Sequence, residues 1–156
     1  MLPWLESTPL AVWVGESPSI WALPTILTLH TTGMAVLVGA SWILDLRLLG
    51  VSRSVPLSAF RWVFPLLGIG LVVNVLTGVL LFMKNATTWG TSIPFLIKMS
   101  LVIASVATLV PLRSYVIGSD AEPGVVSGNA RLLAVASILA WTGAVTAGRL
   151  LAYLNP

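Results

Sequence analysis

Four long apolar stretches, at about residues 20 to 46, 62 to 83, 93 to 117 and 130 to 154, dominate the chain. Each is long enough to cross a bilayer core of roughly 30 Å as a helix. This reading predicts an all-α fold: an integral membrane, antiparallel bundle of four transmembrane helices, with residues 1–156 as a single transmembrane domain. The composition agrees, because 57% hydrophobic and only 8% charged residues leave too little polar surface to solvate a globular domain. The connections are short, so the chain can line one intramembrane site and hardly two.

The formal net charge of +3 would point to nucleic acid in a soluble protein. Here the basic residues lie at the ends of the spans, where they set topology, and nucleic acid is excluded as a partner. The chain has no cysteine. That removes disulfides, thiolate ligands, iron–sulfur clusters and covalent haem attachment, and leaves His, Met, carboxylates or backbone to hold any metal.

The opening MLPWLESTPLAVWVGESPS carries Glu6 and Glu16 in place of the basic region of a secretory signal, so it is expected to persist in the mature protein. Pro3, Pro9 and Pro18 divide it, while Trp4, Leu10, Val12 and Trp13 give it apolar surface. It reads as a short interfacial segment lying on the membrane.

Orientation follows from the arginines. Arg47, Arg53 and Arg61 fall at the end of the first span and in the first connection, and Arg113 and Arg131 flank the connection after the third span. Cytoplasmic flanks carry such an excess, which places both termini on the periplasmic or outer side. Trp4, Trp13, Trp21 and Trp89 then share the outer interface, with Trp62 near the inner one.

Within the spans the polar departures are few. His30, Lys98 and Arg149 stand out, since an ionisable group in lipid is costly enough to be a functional hypothesis in itself. Gly70, Asn74 and Gly78 recur at four-residue spacing with Thr77 beside them. Gly33 adjoins His30, and Gly148 adjoins Arg149. Such small residues serve close helix packing, or leave room for a planar cofactor. At about 1.5 Å of rise per residue, His30 falls roughly 15 Å below the outer end of its span, with Lys98 and Arg149 closer to that end. One imidazole below two cations suits a b-type haem, with His30 as the axial metal ligand and Lys98 and Arg149 on the propionates. The plainer alternative is that His30 hydrogen-bonds a neighbouring helix through Thr77 or Asn74 while Lys98 and Arg149 snorkel to headgroups. Copper is a second cofactor alternative, because Met34 lies one turn from His30 and Met99 adjoins Lys98, and thioether with imidazole suits Cu(I). Asp45, near the inner end of the first span, is expected to pair with Arg61 or Arg113 from a neighbouring helix end.

No Walker loop, dinucleotide fingerprint, nucleophile elbow or paired intramembrane carboxylate is present. The blocks WLESTPLAVWVGES, LHTTGMAVLVGASWILDLRLLG, FLIKMSL and AGRLLAYL resemble a small bacterial four-helix membrane family known only as a domain of unknown function. More loosely, the His of the first long span and the FLIK opening a later one are similar to the CopD-like copper-resistance membrane proteins and to the membrane protoporphyrinogen oxidase of haem synthesis. The latter resemblance implies a haem-ligating role for His30 and a functional role for Lys98. The chain lacks the further histidines of both larger families and the methionine richness of a copper importer. Taken together, these readings predict a multi-pass protein of the bacterial inner membrane that binds haem b for electron transfer or redox chemistry near the outer face. The alternatives are a cofactor-free structural subunit of a larger membrane complex, or a copper transport protein. With one histidine, a bis-histidine haem would need a partner: a second copy in a homo-oligomer, or another subunit.

Overall fold

The computed structural model describes residues 2–118 and 126–154, and the middle of the second expected inner connection lies outside them. Every regular element is helical among the described residues. Two short helices, α1 (Leu2–Glu6) and α2 (Pro9–Glu16), precede α3 (Leu23–Leu49). A 3-10 turn (Leu57–Phe60) leads into α4 (Val63–Lys84), then come α5 (Ala86–Gly90), α6 (Ile93–Gly118) and α7 (Gly128–Leu154). Helices α3, α4, α6 and α7 are long and apolar enough to cross a membrane.

The first span sits about three residues later than expected, and its ends explain why. Pro24 in the first turn, with its fixed φ, sets the start at Leu23. Gly50 sets the end: it adopts φ 110°, and its N–H and that of Val51 bond back to the carbonyls of Arg47 and Leu46. The last turn of α3 thereby includes Arg47, which is 3% exposed. Its guanidinium donates to the carbonyls of Val55 (2.8 Å) and Arg53 (3.1 Å), so it clamps the connection onto the helix end.

The bundle is antiparallel. Along α3 and α4, contacts run from His30 with Thr77 to Gly33 and Leu37 with Gly70; along α6 and α7 they run from Lys98 with Gly148 to Leu101 with Gly143. The tightest pairs are α3 with α4 and α6 with α7, joined through α3 and α7, whereas the side between α4 and α6 is thin. At one end of that side, Phe82 stacks on Phe95 (5.1 Å), and Trp89 on Phe95 (6.2 Å).

Buried positions recur at alternating spacings of three and four residues. On α7 they are Ala130, Ala134, Ser137, Trp141, Ala144 and Leu151; on α4 they are Val63, Leu67, Gly70, Thr77 and Leu81. That is the period of helices packed in left-handed pairs. The seams hold many small and hydroxyl-bearing residues, and the exterior is lined by large apolar side chains such as Ile69, Leu76, Ile103, Leu132 and Leu139. Sorting by size rather than by hydropathy fits helix association in lipid, where apolar burial supplies little drive.

The N-terminal segment docks on one end of the bundle. Thr8 caps α2 by accepting from the Ala11 N–H, with Pro9 in the first turn. Val14 packs with Ile26 and Leu81, Gly15 lies on the Lys84 side chain, and Glu6 accepts from the Thr87 N–H at 2.7 Å. Trp4, Trp13 and Trp21 remain exposed around this end.

Candidate functional site

His30 lies on the α3 seam seven residues after its first residue, a rise of about 10 Å. Its side chain is buried against α4. Nδ1 is 2.9 Å from Thr77 Oγ1, and Thr77 has a single hydroxyl proton, which it donates to the Val73 carbonyl at 2.6 Å. The network therefore assigns the proton of the imidazole to Nδ1, donating to Thr77, and leaves Nε2 with its lone pair. Asn74 adds a second tie by donating to the His30 carbonyl at 2.8 Å. Gly78 gives the ring room, because a Cβ there would lie 3.3 Å from His30 Cε1, closer than ordinary van der Waals contact.

Lys98, five residues into α6, is half-buried, and its aliphatic stem lies along Gly148 of α7, where a Cβ would stand 3.4 Å from Lys98 Cε. His30 with Thr77 thus joins α3 to α4, and Lys98 with Gly148 joins α6 to α7. Arg149 is placed differently. It is exposed and holds the Tyr153 ring and hydroxyl on its own helix, with its guanidinium carbon 5.3 Å from the ring centroid. Adjacent to Gly148 in sequence, it is turned about 100° from the seam that Lys98 packs against.

The slot that Gly33, Gly70 and Gly78 were expected to leave for a flat cofactor is occupied by helix packing. A Cβ on Gly70 would stand 3.0 Å from the Gly33 carbonyl oxygen and from the Leu37 amide nitrogen. The glycines bring two backbones together, and no macrocycle passes between α3 and α4 there. The thin side of the bundle is instead between α4 and α6.

The two methionines of the copper alternative lie in different surroundings. Met99 is exposed on α6, Met34 packs against the apolar core around Leu37 and Trp141, and no cluster of three or more His, Asp or Glu occurs among the described residues. A groove of about 410 Å³ between α3 and α7 is lined by Thr31, Met34, Val38, Trp42 and Thr146, and His30 is not part of its wall.

Asp45 also departs from expectation. Its hydrogen-bond partners are Ser137 and Ser41, not an arginine: Arg61 donates to the Ile117 carbonyl, and Arg113 is exposed. Ser41 lies four residues before Asp45 on the same face, which was readable in the sequence, but Ser137 is 92 residues away. Nothing local marked it.

Together the helices define an all-helical protein with four helices long and apolar enough to span a membrane, tied across their seams by buried polar contacts at His30–Thr77 and Asp45–Ser137. No protein-family model matches this chain, nor does any curated protein or solved structure.

Proposed function

We propose that this is a multi-pass inner-membrane protein in which His30 serves as the axial ligand of haem b, in electron transfer or redox chemistry near the outer face. The observation that carries the reading is the contact of His30 Nδ1 with Thr77 Oγ1, whose own proton goes to the Val73 carbonyl. A ligating histidine offers one nitrogen to the metal and donates its other N–H to a fixed partner, which sets the ring's orientation and basicity. Thr77 supplies that partner, and Nε2 keeps the lone pair. Lys98 is the cation for a propionate. Arg149, from its exposed place beside Tyr153, serves the outer rim in this reading. A bound haem would supply one-electron chemistry; this chain's contribution is to ligate, orient and charge-balance it.

Haem reconstitution tests the reading. Protein purified with haem available is expected to show a Soret band that shifts on dithionite reduction. His30→Ala should lose the pigment while still inserting, and Thr77→Val should keep the ligand but alter the band and lower the occupancy. A colourless wild-type protein, or full haem content in His30→Ala, would leave His30 as an interhelical clamp. The Gly33–Gly70 contact and the Asn74 bond to the His30 carbonyl favour that second reading, a cofactor-free structural subunit.

Both termini on the outer side is the topology we propose, on the strength of the five arginines on or beside the two inner connections. The N-terminal segment, with α1 beside α5 and α2 beside α4, lies at the same end of the bundle as the connection between α4 and α6, so the two share a side in this reading. Single cysteines in this cysteine-free chain should label from opposite sides with an impermeant reagent when placed at Thr88 and at Asn129, both exposed. Labelling from one side would rule the arrangement out.

A further inference from the structure

Asp45 is 0% exposed, on the seam between α3 and α7. Its Oδ2 accepts from Ser137 Oγ at 2.7 Å and from Ser41 Oγ at 3.4 Å, and the two hydroxyls are 3.3 Å apart. Its Oδ1 is buried and has no partner. On α7, Ser137 lies between Ala134 and Trp141, and on α3 Asp45 lies beside Leu44 and one turn from Leu48, so apolar layers close the site above and below. The charged groups of the adjoining elements are engaged or turned elsewhere. Arg47 is held by the carbonyls of Val55 and Arg53, Arg61 donates to the Ile117 carbonyl, and Arg113 and Arg131 are exposed.

A bare carboxylate at full burial is strongly disfavoured unless a positive charge accompanies it, and two hydroxyls do not replace one. The charge that fits is single. Only one carboxylate is present, and its two oxygens with two hydroxyls, both already donating to Oδ2, are too few for a hard metal ion such as Ca2+ or Mg2+, which takes six or more oxygen ligands; the occupant that fits is a proton. We propose that Asp45, Ser41 and Ser137 form a buried proton-exchange site, with Asp45 protonated at rest. The unpartnered Oδ1 is the face at which an occupant is gained or lost. Asp45 lies one turn from the end of α3, so the shortest way out, past the Leu48 layer, is to the end of the bundle that carries the 50–62 connection. This site is separate from His30 and stands whether or not haem binds.

Infrared difference spectroscopy on the full chain in vesicles tests it, with Asp45→Asn as the isosteric reference. At neutral pH in potassium buffer, the wild type is expected to show a protonated-carboxyl C=O band that Asp45→Asn lacks and that disappears as the pH is raised. Ser137→Ala should move that band to higher frequency by removing the 2.7 Å hydrogen bond, without abolishing it. Replacing potassium with sodium should leave the band unchanged, and a sodium-dependent loss would overturn a site built for a proton alone. Identical spectra for wild type and Asp45→Asn would overturn the proposal. So would a band that survives at every accessible pH, since it would mark a fixed acid with no exchange.

Discussion

Substituting Gly70 by valine is expected to cost more stability than any other single change on the exterior or seams of α4. A Cβ at this position would meet the Gly33 carbonyl oxygen and the Leu37 amide nitrogen at 3.0 Å and the Leu37 Cβ at 3.1 Å. Two of those atoms are backbone, so relief requires α3 and α4 to separate along their length rather than one side chain to rotate. Overpacking of a tight site usually costs about 1–3 kcal/mol, and the two further methyls of valine place this case at the upper end. Because His30 meets Thr77 two turns away across the same pair of helices, the separation should also lengthen that hydrogen bond. Gly39 and Gly68 provide the control: nothing lies within 4 Å of a Cβ at either. Alanine at those positions should be neutral or stabilising by up to about 1 kcal/mol, from helix propensity. Unfolding in mixed micelles reads both. Equal stability of Gly70→Val and wild type would refute the close-packed α3–α4 seam.

Arg47→Ala should release the 50–62 connection. The buried guanidinium bonds two loop carbonyls, those of Val55 and Arg53, and hydrogen bonds to a charged group contribute about 1.5–3 kcal/mol each. Removal leaves both carbonyls without that donor, and a net loss of about 3 kcal/mol is expected. Lysine should recover part of it, since a single ammonium cannot reproduce the two-pronged geometry. Trypsin cleavage after Arg53, which is exposed, is the local readout: it should accelerate in Arg47→Ala well before global unfolding. Unchanged cleavage and stability would mean that the arginine acts only as a topological charge.

Arg47 also shows how far the sequence could be read. Its position at the end of an apolar stretch marked it correctly as a span terminus, and the same reasoning gave the other three spans to within a few residues of α4, α6 and α7. It did not reveal the clamp, because that depends on how Gly50, at φ 110°, turns the chain back over the helix end. The glycines of α4 were recognised as a close-approach face, and they are one. Whether a cofactor or a helix approached was not encoded in α4 itself, and Gly33, 37 residues earlier, decided it.

Length and hydropathy alone determined the helices, because a backbone without water must bond within its own segment, and a long apolar run has only the helix open to it. The same hydropathy says nearly nothing about which face is inside. In water, burial separates apolar from polar residues and writes a period into the sequence; here the exterior is as apolar as the seams. Side-chain size and a few hydrogen bonds do the sorting. His30 with Thr77, 47 positions apart, was one of two readings the sequence left open, and Asp45 with Ser137, 92 positions apart, is a choice of the tertiary structure alone. An unpaired polar group has no water to turn to in such an interior, and only the assembled bundle supplies its partner.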